Sequence, residues 1–237
     1  MQFDGQCFIV TGAAGNLGAA VASELSARGA SLALVDRAAP ALEALVKTLA
    51  HPDRALALPG IDLTKPEGGA KMAEATLARF GRIDGLVNTV GGFRMGRVVD
   101  NALADWDFMM DINARAALVS SAATLPAMVA RKSGRVVHIA AGPGLKGAAG
   151  LAAYAASKAA VLRIAESLAE EHRADGVTVN CVVPGTIDTP QNHAAMPGAD
   201  TSAWVKPAAI ARAIAMLLSA EAGAITGAAI PVIGVGA

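Results

Sequence analysis

At 237 residues the chain has room for one large α/β domain, and no compositional shift marks a linker inside it. Zero formal net charge argues against nucleic acid or an anionic membrane as partner, and no uncharged apolar run reaches membrane-spanning length. A hydrophobic share of 54% with only 3% aromatics makes Ala, Val, Leu and Ile the core material, which suits alanine-rich helices packed on an aliphatic parallel sheet.

The first ten residues carry no basic segment and no long apolar run, so no signal peptide is expected and a cytoplasmic location is the default. Residues 6–10 form an apolar run of strand type, followed by Thr11-Gly12-Ala13-Ala14-Gly15-Asn16-Leu17-Gly18 and a helical pattern that stops at Gly29. Strand, glycine-rich turn and helix in that order form a dinucleotide cradle, because glycines admit a pyrophosphate to the backbone and the helix N-terminus offers it free amides. The next strand, 31–35, ends in Asp36, eighteen residues after Gly18, where a carboxylate grips adenosine ribose hydroxyls. Asp36 favours NAD by repelling a 2′-phosphate. Arg37, directly after it, is the residue that would hold such a phosphate, so NADP is the alternative.

Strands and helices then alternate. A helix over 39–50 leads to a strand at 55–58 and to Asp62, placed to meet an adenine edge. A helix over 66–80 precedes a strand at 85–87 that runs into Asn88-Thr89-Val90-Gly91-Gly92. Residues 101–131 read as one long or broken helical region containing Asn113, with Pro126 expected to kink it or start a new turn. After a strand at 135–140 come a small-residue loop to Gly150, a helix to about 174, a strand at 177–183 and a polar excursion over 187–206. A helix at 207–219 and a strand near 228–233 end the pattern. The whole predicts a single-domain Rossmann fold over 1–237, a doubly wound parallel sheet of about seven strands with helices on both faces. Gly12, Asp36, Asp62 and Asn88 fall at carboxyl ends of strands, where such folds bind ligands.

Tyr154 and Lys158 lie four residues apart on the helix that follows Gly150, so phenol and ammonium share a face. A nearby cation favours phenolate, and the pair is expected to lower the tyrosine pKa and serve as a general acid/base. His138 reads as a strand residue rather than a base. His51, His172 and His193 share no ligand spacing with each other or with cysteine, so no metal site is expected. Cys7 and Cys181, each inside an apolar run, read as two buried thiols of a reducing compartment.

Taken together, Thr11 to Gly18, Asn88 and Gly91, Asn113, Tyr154 with Lys158, and Pro184-Gly185 resemble the short-chain dehydrogenase/reductase family over essentially the whole chain. The resemblance implies an NAD(P)-dependent oxidoreductase that moves hydride between nicotinamide and a carbonyl, alcohol or imine-type substrate. Tyr154 would be the proton donor and acceptor, Lys158 its partner and a ribose ligand, and Asn113 the holder of a relay water. It adds Leu63, Pro184, Gly185, Ile187 and Thr189 to the cofactor contacts, and Phe93, Ala141, Met196 and Trp204 to the substrate pocket. It also implies a homodimer or homotetramer, with Ser120 and Ser121 expected to face a neighbouring subunit.

Three departures from the family pattern stand out. Asn16 stands where the second glycine is usual, a change that a left-handed backbone would tolerate, since asparagine visits that region. Thr89 and Val90 replace an Asn-Ala pair. Ala141 stands thirteen residues before Tyr154, where the family places the serine that polarises the substrate carbonyl. Loss of one such donor costs about 10²–10³ in turnover. Two alternatives follow. Dihydropteridine reductases lack that serine, and Asp188-Thr189-Pro190, Asn192, Met196-Pro197, Ala199-Asp200, Ser202 and Trp204, with Gly91-Gly92-Phe93, are similar to their stretches. The other is a catalytically weak dinucleotide-binding protein.

Overall fold

The computed structural model describes residues 1–234, with the side chains of Asn101 and Ala102 outside the description. Seven strands form one sheet in the order β3-β2-β1-β4-β5-β6-β7, and every neighbouring pair is parallel. The strands are β1 (Cys7–Thr11), β2 (Ser31–Asp36), β3 (Ala55–Pro59), β4 (Gly85–Asn88), β5 (Gly134–Ile139), β6 (Val177–Pro184) and β7 (Ala229–Val232). Helices connect them: α1 (Asn16–Ala27), α2 (Ala39–Thr48), α3 (Pro66–Phe80), α4 (Val98–Met109), α5 (Ala116–Ala130), α6 (Gly142–Leu145), α7 (Ala152–Glu171), α8 (Pro190–Ala195) and α9 (Pro207–Leu218).

Strand side chains alternate between faces, so neighbouring residues enter different cores. Val10, Leu34, Val137 and Val182 pack with Val21 and Leu25 of α1 and Ile210 and Ile214 of α9. Ile9, Val35, Val136 and Val183 pack on the opposite face with Met72 of α3, Met128 of α5 and Leu162 of α7. Continuous aliphatic strands are what a sheet covered on both faces requires. Cys7 and Cys181 are free and buried within it, and burial pushes both thiols up to about 12.

The chain crosses from β3, on one side of β1, to β4 on the other, with Thr11 opposite both Val35 and Asn88. That reversal of strand order opens a crevice at the carboxyl ends, the place where open α/β sheets take ligands.

The region expected as one long or broken helix over 101–131 begins earlier, at Val98, and is of the broken kind, with a single π turn, Met110–Arg115, between α4 and α5. Pro126 does not break it. Proline and the residue four before it, Ala122, both lie on the exposed face of α5, so the carbonyl freed by the missing N–H meets solvent. Ser120 and Ser121 are buried within the subunit, which corrects their expected place at a neighbour's surface. Ser120 donates to Ala116 O at 2.7 Å, and Ser121 Oγ lies 3.1 Å from His138 Nε2.

Candidate active site

The glycine-rich turn is built by close approach. Gly12 has φ +65°, and a Cβ there would meet Thr89 Oγ1 at 2.9 Å; one on Gly18 would lie 2.1 Å from Gly12 O. Thr89 Oγ1 donates to Thr11 O at 2.6 Å, tying β4's end to β1's. Asp36 Oδ2 accepts from Ala14 N at 3.0 Å and its Oδ1 from Ala38 N at 3.0 Å, so the carboxylate orders the turn from the tip of β2. Asn16 is the first residue of α1, and among the described residues Lys132 alone combines a side chain with positive φ. The left-handed backbone anticipated for Asn16 is therefore not needed.

Two adjoining clefts flank this turn. One, of about 240 Å³, is lined by Gly12, Gly15, Asp36, Arg37, Asp62, Leu63 and Gly91, together with Thr64, Thr89, Val90 and Ile112. The other, of about 290 Å³, is lined by Asn16, Leu17, Gly18, Ile187 and Thr189, with Gln191 and Asn192. Asp62 accepts from the Thr64 hydroxyl at 2.7 Å and amide at 2.9 Å, which holds its carboxyl below the usual range. Asn88, Pro184 and Gly185, expected at the cofactor, line neither cleft. Asn88 Oδ1 accepts from Thr11 Oγ1 at 2.7 Å and is committed to joining β1 and β4, while Gly185 N donates to Val232 O at 3.0 Å.

Around Lys158 the structure brings three elements together. Lys158, a residue 6% exposed, donates from Nζ to Ile139 O at 2.9 Å, and a Cβ on Gly91 would lie 3.2 Å from that Nζ. Asn113, in the π turn, is fully engaged: Oδ1 accepts from Gly92 N at 3.1 Å, and Nδ2 donates to Gly92 O at 3.1 Å and to Ser157 Oγ at 3.0 Å. Ser157 in turn donates to Tyr154 O at 2.8 Å. The Asn113 carboxamide thus clasps the β4–α4 loop to the Tyr154 helix, and no side-chain donor is left over for a relay water. A π turn at such a position is a recurrent mark of functional sites.

The protonation of the pair differs from the expectation. Burial pushes the Tyr154 phenol up rather than down, with Lys158 Nζ 6.0 Å from its ring centroid. Burial also pushes the Lys158 ammonium down, to about 8. Desolvation disfavours each charged form and is the leading cause of both shifts. His138, fully buried, is pushed down to about 4 by desolvation and by Lys158, so it stays neutral on its strand.

On the substrate side, Phe93 meets Tyr154 edge to face at 4.9 Å between centroids. Trp204 packs on His193 at 4.7 Å within the segment 187–206, and Met196 of the same segment is exposed. Ala141 precedes α6 in extended conformation and brings no hydroxyl to the site. Thr89, Ser157 and Gln191 were not foreseen. Thr89 and Ser157 adjoin Asn88 and Lys158 in sequence, which was a usable signal; Gln191 had none.

A family model for short chain dehydrogenases matches residues 6–199. An uncharacterised oxidoreductase of Staphylococcus epidermidis is 34% identical over 185 residues, 78% of this chain and 79% of that protein. The 3-oxoacyl-[acyl-carrier-protein] reductase of Vibrio cholerae is 32% identical over 235 residues, 96% of this chain and 95% of that one. Among solved structures, NAD⁺-bound xylitol dehydrogenase superposes with a TM-score of 0.91 at 26% identity, covering 99% of this chain and all of that one.

Proposed function

The chain is an oxidoreductase of the short-chain dehydrogenase family, and from that premise we propose that it uses NAD, in preference to NADP, to interconvert a carbonyl and an alcohol with Tyr154 as acid/base. The observation that carries the reading is the meeting of Lys158, Asn113 and the Gly91-Gly92 backbone beside the cleft that ends at Asp36. The glycine-rich turn fits a dinucleotide, since a Cβ at Gly12 would strike Thr89 and one at Gly18 the Gly12 carbonyl, and either would force apart the tight turn that offers its backbone to a pyrophosphate. Gly12, Gly15 and Leu17 would face its phosphates and Asp36 its adenosine ribose. Asp36 supports NAD by charge, as does the NAD⁺-bound neighbour of high structural similarity.

Nicotinamide supplies the hydride when bound. Tyr154, held protonated across neutral pH by burial, gives its proton to the substrate oxygen in the reducing direction. Lys158 is cationic at pH 7 and stabilises the phenolate left behind. Asn113 fixes Gly92 and, through Ser157, the first turn of α7. The substrate is a small molecule, and the working form is a homo-oligomer.

Ala141 favours a second reading for the substrate alone: an imine-type electrophile such as a quinonoid dihydropterin, which does not rely on a serine donor. NADH oxidation with ketones, quinones and quinonoid dihydropterin separates them. Tyr154→Phe should lower turnover of the true substrate by about 10² or more. Ala141→Ser should raise ketone turnover if ketones are the substrate class and leave it unchanged if imines are. Tight NADH binding with no turnover on any of them would instead mark a dinucleotide-binding protein.

A further inference from the structure

The segment 187–206 is braced internally. Thr189 Oγ1 accepts from Asn192 N at 3.2 Å, Asn192 Nδ2 donates to Ile187 O at 2.8 Å, and His193 Nε2 lies 2.7 Å from Asp188 Oδ1. With the His193–Trp204 contact, these bonds make α8 and its flanks one body. Among the described residues a single side-chain hydrogen bond joins that body to the rest of the chain: Asn16 Nδ2 donates to Gln191 Oε1 at 2.7 Å. Both residues line the 290 Å³ cleft, Asn16 from the glycine-rich turn with Gly15 and Gly18, Gln191 from α8 with Thr189 and Asn192. Both side chains are exposed, so the bond can open without unpacking the core.

We infer that Asn16 and Gln191 are positioning residues that latch α8 over the glycine-rich turn and set the rate at which the dinucleotide leaves. The inference rests on the reading that this cleft takes a dinucleotide. A glycine at position 16, usual in the family, has no side chain to reach α8. The asparagine therefore adds a contact between the cofactor turn and the substrate segment that the backbone does not supply. Closure of the segment and retention of the cofactor become one event.

Stopped-flow fluorescence of NADH displacement tests this on the wild type, Asn16→Gly, Gln191→Ala and the double variant, with melting temperatures as a control for folding. Each single variant should release NADH about three- to tenfold faster, the range expected for one exposed hydrogen bond. The double variant should release it no faster than the quicker single one, because both changes remove the same bond. Rates within twofold of wild type, or effects that multiply in the double variant, would overturn the latch. Amide hydrogen exchange on the nucleotide-free protein gives an independent readout: 187–206 should exchange faster in either single variant, and unchanged exchange counts against the inference. Absence of NADH binding by the wild type would overturn the dinucleotide reading, and is distinct from binding with unaltered release.

Discussion

Lys158 spans the difference between a residue that packs and one that titrates. The residue is 6% exposed, its ammonium has one backbone acceptor, and burial moves it from an ordinary value of 10.5 to about 8. The sign of the linkage follows. Between about pH 8 and 10.5 the unfolded chain holds the proton and the folded chain has released it, so the folded state gains stability as pH rises through that window. Below about 8 both states are charged and the desolvation cost is constant. Lys158→Met removes the group, so the nucleotide-free variant should be the more stable at pH 7. The gap should close by about 1–3 kcal/mol between pH 8 and 10.5, read by urea unfolding. A gap independent of pH would mean that the ammonium is hydrated in the folded protein. The i, i+4 spacing of Tyr154 and Lys158 was visible in the sequence, and it brought them to one face. The depth at which they sit was not visible, because it depends on Gly91 and Gly144, which approach Lys158 from other elements. Local charge logic therefore put the phenol shift in the wrong direction.

At the scale of elements, the strands were legible because their aliphatic runs end in turn residues, and Gly29 and Gly81 mark the ends of α1 and α3. The π turn was not. No glycine or proline interrupts 101–125, and a helical pattern cannot report that Asn113 is held by a loop twenty-one residues away. The break falls where that tertiary clasp is made, and Pro126, the local signal, sits harmlessly on a wet face. Asn113→Ala would leave the Gly92 amide and carbonyl and the Ser157 hydroxyl without their partner. It should cost about 1–3 kcal/mol in unfolding free energy. It should also lower kcat more than it raises KM, because Gly92 and the Tyr154 helix lose their tie while the Asp36 end of the cleft is untouched. An effect on KM alone would place Asn113 in substrate binding.

At the scale of the molecule, the parallel sheet converts sequence distance into proximity. Residues 16 and 191 touch because β1 and β6 both point their carboxyl ends at one rim. The alternation of strands and helices was enough to foresee that rim and the residues on it, but not which side chains meet across it. Solvent exposure leaves one large feature unaccounted for within the subunit. Val99, Leu103 and Trp106, spaced four and three residues apart on α4, form a stripe 76%, 79% and 45% exposed, and Leu118 of α5 adds 48%. Side chains of this kind contribute about 25 cal/mol per Å² when covered. A homo-oligomer that covers them would also brace α4 and α5 on either side of the π turn that carries Asn113. Leu103→Glu should therefore convert the assembly to monomers in sedimentation or light-scattering measurements at micromolar concentration. Turnover should fall with the monomer fraction, since the charge lies outside both clefts. A wild type that is already monomeric under those conditions would leave the stripe for another partner and uncouple subunit association from the site.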